Sequence, residues 1–465
     1  MLSSKTVRFK NFKKEDRFDP KFFFLEDKFE KYKKNDKLSV LKLGDKDLLK
    51  VITDGEHAGQ KFVDKGVLFI KNSAIKDFHI SRGEGFYIEE WKHEEQKRSA
   101  LEKDDILFTT IGHLGSATLV PENLGEANIN QNLVKIKIDS SILSPAYLVA
   151  YLNSTLTKMQ INAMFTGNIQ GILTYPKIKN IDIVYPADKK IVDEIDTIIR
   201  KAINLDNESF DLIEEARRLF VDSLNIDREL VDNSTIFNIS LKKLKNSSDL
   251  WIPKKFNPEF VTTLEIIKSK FKYIELSNDS IDIISGDEAG SDNYSNYMDK
   301  NDGDVPFIRT SDLFNHELDL HPDNYIPIEI FEELEQDIRK GDILFTKDGK
   351  IGITAMISGD EKVVLSSGIS RIRIKDNSEL PITNEYLFVA LSSKEIGKYQ
   401  TDQRVVYAST IPHLRPERLK EFIIPIIEKK SIDKITSIVK EAYKKKEEKN
   451  KLLRKAITIL QDCLE

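Results

Sequence analysis

Two stretches of this chain carry the same pattern, and a pattern repeated at domain scale limits the fold more than any composition does. Asp105-Ile-Leu-Phe-Thr109 returns 237 residues later as Asp342-Ile-Leu-Phe-Thr346. Each copy leads into a turn with two glycines three apart, Gly112 and Gly115 in the first, Gly349 and Gly352 in the second. The offset holds with small slips. Val67-Leu-Phe-Ile-Lys-Asn-Ser73 matches Val305-Pro-Phe-Ile-Arg-Thr-Ser311, and Tyr147-Leu-Val-Ala-Tyr-Leu-Asn-Ser154 matches Tyr386-Leu-Phe-Val-Ala-Leu-Ser-Ser393. Self-similarity at a fixed period reports a repeated structural unit, and a period this long makes the unit a domain. A duplicated domain reads two similar things, or one thing with two halves.

At 465 residues the chain exceeds what one hydrophobic core usually serves, so at least two domains are expected. No apolar run approaches the roughly 18 residues a membrane span needs. The stretch from Met1 to Lys14 is polar and basic, without the apolar core of a signal peptide. A cytoplasmic protein without a membrane partner is the expectation. The single cysteine, Cys463, excludes an internal disulfide framework and fits a reducing compartment; its plain reading is a small apolar residue on a helix seam. The net charge of −6 leaves the partner open, because a phosphate backbone meets one face only.

After Tyr185-Pro186, apolar residues recur at alternating steps of four and three: Ile191, Ile195, Ile198, Ala202 and Leu205, then Leu212, Ala216 and Leu219 beyond an interrupting Ser209. After Ile424-Pro425 the same spacing gives Ile432, Ile435, Val439, Ala442, Leu453, Ala456, Leu460 and Cys463. This spacing predicts two long helices with coiled-coil seams that can cover each other, each begun just after a proline. Lys446 and Lys449 fall on the second stripe, which predicts a middle either loosely packed or shared. Eleven Lys or Arg against seven Asp or Glu lie between residues 428 and 465, a basic excess that fits a solvated face.

Short β-type runs precede each helix. Alternation in Val134–Ile138 and around Ile372 fits half-buried strands, and Asp348-Gly349 between apolar runs is a hairpin signal, because glycine accepts positive φ. The order expected is globular α+β domain, long helix, globular α+β domain, long helix.

Catalytic signatures are missing. There is no phosphate-binding Gly-x4-Gly-Lys loop; Gly349-Lys-Ile-Gly352 lacks the spacing. Asn257-Pro-Glu-Phe260 misses the second proline of an amine-methylating loop, and Asp19-Pro-Lys-Phe22 matches it in the first copy, so both read as a repeated start signal for the fold. The histidines show no zinc spacing, His316 and His321 included. No catalytic residue, cofactor or metal is expected. What remains is polar residues at strand ends that match between copies: Lys71-Asn-Ser73 with Arg309-Thr-Ser311, Thr109-Thr110 with Thr346-Lys347, and Gln131-Asn132 roughly with Ser366-Ser367. Such side chains can donate to phosphates and read base edges. Singly each is better explained as a turn-capping or solvated residue; repeated as a set, they are stronger evidence for binding.

With these residues, together with Phe307-Ile-Arg-Thr-Ser-Asp-Leu313, Ser409-Thr-Ile-Pro-His-Leu414 and the aliphatic-Pro junctions, the chain resembles the specificity subunit of Type I restriction–modification systems over essentially its whole length. The resemblance implies an α+β fold of two tandem target-recognition domains separated by two long antiparallel coiled-coil helices, in a pseudo-twofold internal repeat. It implies target-recognition domains at 1–186 and 227–426, a central spacer helix at 187–226 and a C-terminal spacer helix at 427–465. It implies a non-catalytic subunit reading a bipartite site in double-stranded DNA, with methyltransferase subunits, two of them, and through the complex motor-nuclease subunits as partners. Positional match assigns DNA contact to Asn72, Ser73, Thr109, Thr110, His113, Asn168 and Gln170 in the first domain. In the second it assigns Arg309, Thr310, Lys347, Lys350, Arg404, Tyr407 and His413. The first copy departs from the pattern, with Asp104 where the second has Gly341 and Thr110-Ile111 where the second has Lys347-Asp348, so its turn geometry is open. Other readings are the recognition subunit of a related restriction or phage-defence system, a coiled-coil scaffold that binds proteins or sugars, and a stand-alone nuclease or methyltransferase. The recognised bases and the length of the gap are not legible in side chains alone.

Overall fold

The computed structural model describes residues 20–57, 59–165, 171–245, 252–287, 304–407 and 411–464. The chain divides into two compact units, Met1–Asn207 with Glu448–Glu465, and Glu208–Glu447.

In the first unit a four-stranded antiparallel sheet runs in the order Leu49–Asp54, Leu133–Ile138, Ile106–Thr109, Ala117–Leu119. A second sheet places Val67–Ile70 between Phe86–Ile88, antiparallel to it, and Ala127–Ile129, parallel to it. The repeated Ile-Leu-Phe-Thr run is apolar throughout because both its faces are covered. Ile106 and Phe108 enter the main core of the unit while Leu107, pointing the other way, enters a smaller one with Ile70 and Ile129. Helix Pro145–Leu152, capped by the Ser144 hydroxyl accepting from the amides of Ala146 and Tyr147, is buried along its whole length. The unit closes where Leu38–Lys42 pairs with Asp182–Pro186. Gln160 clips that strand in place: its Nε2 donates to Asp182 O at 2.9 Å, and its Oε1 accepts from Asp182 N at 2.8 Å.

The second unit has the same plan. Its four-stranded sheet runs Ile281–Ser285, Ile369–Ile374, Ile343–Thr346, Thr354–Met356. Its second sheet centres on Val305–Ile308, antiparallel to Tyr325–Ile326 and parallel to Val364–Leu365. Ile343 and Phe345 face the main core and Leu344 a smaller one. Gln400 repeats the clip on Ile423, at 2.9 Å to its carbonyl and 2.8 Å from its amide. The Asn257-Pro motif is a helix start, with the Asn257 side chain accepting from Phe260 N ahead of Pro258–Lys270; Pro20–Lys33 begins in the same way at a proline.

The long helices are Lys189–Leu224 and Lys429–Leu464, 36 residues each. Each unit holds a part of both. In the first, Ile195, Ile199 and Ala202 share a core with Ala456 and Leu460, and the ion pairs Lys455–Glu194 at 3.0 Å and Lys201–Glu448 at 2.6 Å make the two segments antiparallel. In the second, Ala216 and Phe220 share a core with Ile435, Val439 and Ala442.

The middle of the second stripe is closely packed. Lys446 and Lys449 are 0% and 1% exposed. A buried ammonium is tolerated only with close partners, and both have them. In the first unit Lys449 lies 3.5 Å from Asp206, whose other oxygen is 3.1 Å from His79 Nδ1. In the second, Lys446 donates to Asn315 O at 2.9 Å and lies 3.5 Å from Glu317. His79 and Glu317 sit at the turns of two small repeated hairpins, Ile75–Lys76 with His79–Ile80 and Leu313–Phe314 with Glu317–Leu318. Among the described residues, no helix is long and apolar enough to cross a membrane.

Candidate nucleic-acid interface

Each unit carries one exposed polar turn at the end of the Ile-Leu-Phe-Thr strand, and the glycine spacing explains its shape. Gly112, Gly115, Gly349 and Gly352 all have positive φ, between 65° and 87°, where a Cβ costs energy. The connection is longer than a two-residue hairpin turn: in the second unit pairing resumes only at Phe345–Thr354. Thr109 and Thr346 tie the loop from inside. Their hydroxyls donate to His113 O and Lys350 O and accept from Ser116 N at 3.0 Å and Ile353 N at 2.9 Å. Asp104, placed where the second copy has glycine, lies ahead of the strand, at its far end from this turn, and keeps the same left-handed backbone: its φ is 68° against 87° at Gly341.

In the first unit Asn72 reaches the turn, donating from Nδ2 to Ile111 O at 3.3 Å. Ser73 and His113 are exposed beside it. Thr110 is 5% exposed, and both its amide and its hydroxyl donate to Asn132 O. Thr109 and Thr110, read from the sequence as contacts, are therefore consumed in holding the turn, because a threonine at a strand end can fold its hydroxyl back on the chain. Asn168 and Gln170 lie outside the described residues.

In the second unit the turn is braced by an additional two-stranded ladder, Val406–Tyr407 with Pro412–His413. Gly349 N donates to Pro412 O at 3.1 Å, Leu414 N donates to Lys347 O at 2.8 Å, and the Asp348 carboxylate pairs with His413 Nδ1. Thr310 lies beside the turn, its hydroxyl 3.8 Å from where a Cβ on Gly349 would stand. With the Asn324 amide turned so that its oxygen faces Arg309, that oxygen is 2.8 Å from Nε and Nη2 and 3.1 Å from Nη1. The structure thus brings together Arg309, Thr310, Lys347, Lys350, Tyr407 and His413. Lys347 is 6% exposed and makes no ion pair among the described residues.

Arg404 does not join them. Its guanidinium donates to Glu421 at 3.2 Å and to Gln400 O at 3.2 Å, and lies over the Phe422 ring. Burial lowers its pKa below the ordinary arginine value. Nothing in its flanking residues announces a partner seventeen positions away. Sequence reading missed Lys254, which donates to the exposed Tyr407 hydroxyl at 2.9 Å and to Asp402 at 3.1 Å. The Tyr407 hydrogen bond, then Asp402, hold its amine above the usual lysine value. It sits in a Lys-Lys pair that gives no sign of which lysine is used. Within each unit taken by itself, no three metal-ligating side chains converge among the described residues.

Two α+β units on one plan, each presenting a glycine-shaped polar turn, make this an internally duplicated α+β protein. Residues 281–455 match the Type I restriction modification DNA specificity domain. A Haemophilus influenzae protein described as a putative type I restriction enzyme specificity subunit is 31% identical over 140 residues, 30% of this chain and 32% of that protein; the match thus spans about a third of the relative's length. Residues 281–455, most of the second unit, are thus similar to a Type I restriction modification DNA specificity domain. Solved structures that align include a Type I S subunit from M. genitalium, at 15% identity, covering 92% of this chain and 95% of that one with a TM-score of 0.35. An HsdS subunit from Thermoanaerobacter tengcongensis aligns at 14% identity, covering 92% and 97% with a TM-score of 0.29.

Proposed function

We propose that this chain is the DNA-specificity subunit of a Type I restriction–modification complex and performs no catalysis itself. Each unit reads one half of a bipartite duplex target through its polar turn and the strand end beside it. The spacer helices at 187–226 and 427–465 set the gap between the halves and dock methyltransferase subunits, two of them, through which motor-nuclease subunits join. The observation that carries this reading is the repetition of an exposed polar turn on an otherwise buried strand, once per unit. A repeated core needs repeated apolar residues; it does not need Asn72, or Thr310 at the matching position, beside each turn. Direct readout asks for such short donors at fixed positions. A helix of 36 residues is about 54 Å long, longer than the roughly 34 Å of one DNA turn that separates adjacent half-sites in major-groove readers.

The test is a map of methylated bases across the host genome with this gene intact and deleted. Loss of methylation at one split motif, two short halves around a fixed gap, is the expected result. An unchanged map, together with failure to co-purify with a methyltransferase, would overturn the proposal in favour of a protein-binding scaffold.

A further inference from the structure

Lys71 lies between the strand Val67–Ile70 and Asn72, and its ammonium is held by two phenylalanine rings. Its ammonium stands 3.6 Å from the centre of the Phe86 ring and 4.5 Å from that of Phe62. The two rings lean together at 4.6 Å, and Phe62 rests in turn on buried Phe69 at 5.8 Å. Phe62 and Phe86 are 36% and 37% exposed, so this aromatic cradle sits at the surface. Lys71 makes no ion pair among the described residues. Two exposed phenylalanines whose faces hold a cation, with no paired carboxylate among the described residues, restrict the side chain while leaving its charge available.

The position is also repeated. Arg309 follows the matching central strand 238 residues later, and it too is held by neighbours: the turned amide of Asn324, 1% exposed, whose oxygen meets the guanidinium, and the Asp312 carboxylate 3.8 Å from its Nε. Both units therefore present one restrained cation at the same place, next to the residue that touches or flanks the turn, but by different means: aromatic rings in one, a buried amide and a carboxylate in the other. What is common to both copies is the charge and its position. What differs is everything a base could read. A contact common to both halves of a target is one to the feature both halves share, the phosphate backbone.

We propose that Lys71, held over Phe62 and Phe86, is a sequence-independent phosphate contact that sets the register of the first unit on duplex DNA, as Arg309 does for the second. This rests on the DNA-reading function proposed above. Phosphate contacts fix orientation without specifying sequence, and each releases counterions, so each adds to the salt dependence of binding.

The experiment measures binding of the full chain, with its methyltransferase partner where that is needed for solubility, to a labelled mixed-sequence duplex between about 50 and 200 mM salt. Lys71→Met keeps the stem on the rings and removes the charge. It is expected to weaken binding about five- to tenfold and to lower the slope of log affinity against log salt by about 1. Lys71→Arg is expected to restore that slope. The Phe62→Leu/Phe86→Leu double variant keeps the charge and loosens it, and is expected to weaken binding while leaving the slope intact. Wild-type binding with Lys71→Met indistinguishable from it would overturn the inference and leave the DNA reading standing. So would a Lys71→Met protein whose methylated motif changes in sequence, since that would make Lys71 a base reader. A wild-type protein with no salt-dependent duplex binding would remove the DNA reading and this inference with it.

Discussion

The two copies of the strand that leads into the polar turn begin with the same carboxylate and solve its burial differently. Asp105 and Asp342 are 0% and 1% exposed, and each caps the turn before its strand by accepting a backbone amide, from Glu102 at 2.8 Å and from Arg339 at 2.7 Å. In the second unit Arg373 embraces Asp342 with Nε at 2.5 Å and Nη2 at 2.7 Å, and it also donates to Asp337. In the first unit the matching cation, Lys137, is 3.5 Å from Asp105 and closer to Glu102, at 2.6 Å. Burial then dominates and holds the Asp105 carboxyl above its ordinary value. An arginine can hold both carboxylate oxygens at once; a lysine, a single point charge, is shared away. Duplication preserved the cap and let the counterion drift.

The sharpest way to break this comparison is to neutralise each carboxylate. Asp342→Asn, which strips a two-point partner from a buried guanidinium, is expected to cost about 3 kcal/mol in urea unfolding, and Asp105→Asn less than about 1 kcal/mol. Equal losses would mean that the counterion does not matter. Where the copies agree, effects should agree. Gln160→Ala and Gln400→Ala each remove two hydrogen bonds from a closing strand, and each is expected to cost about 2 kcal/mol; a twofold disparity in midpoint shift would contradict the shared plan. Gly341→Ala forces a Cβ into positive φ and is expected to cost about 1 kcal/mol. The first copy tolerates Asp104 there because Arg200 holds its carboxylate.

The smallest effect is one of pH. A carboxyl raised above its ordinary value binds its proton more tightly in the folded protein than in the unfolded chain. Its stabilising contribution is complete below the unfolded value of about 3.9 and is lost as pH rises through the raised folded value. The stability of wild type minus that of Asp105→Asn should therefore decline as pH rises from about 4; a rise would contradict a destabilised Asp105.

Much of this was legible in the sequence because it depends on residue type at a spacing. The duplication, the helices after Pro186 and Pro425, and the turn glycines all follow from apolar period and the demand for positive φ. The partner of a side chain did not follow. Lys446 and Lys449 interrupt an apolar stripe, and only the folded chain supplies Glu317 and Asp206, more than a hundred residues away. Thr109 and Arg404 carry the chemistry of contact residues, but whether a hydroxyl or guanidinium turns outward is set by neighbours the local sequence does not contain.

The central claim is that one unit reads one half of the target. Methylation should be mapped in strains carrying Ser73→Ala with His113→Ala in the first unit, and separately Lys347→Ala with Tyr407→Phe in the second. The account predicts that each pair relaxes or abolishes recognition at one half of a split motif and leaves the other half and the gap unchanged. A change in both halves from either pair, or a continuous motif with no gap, would contradict it.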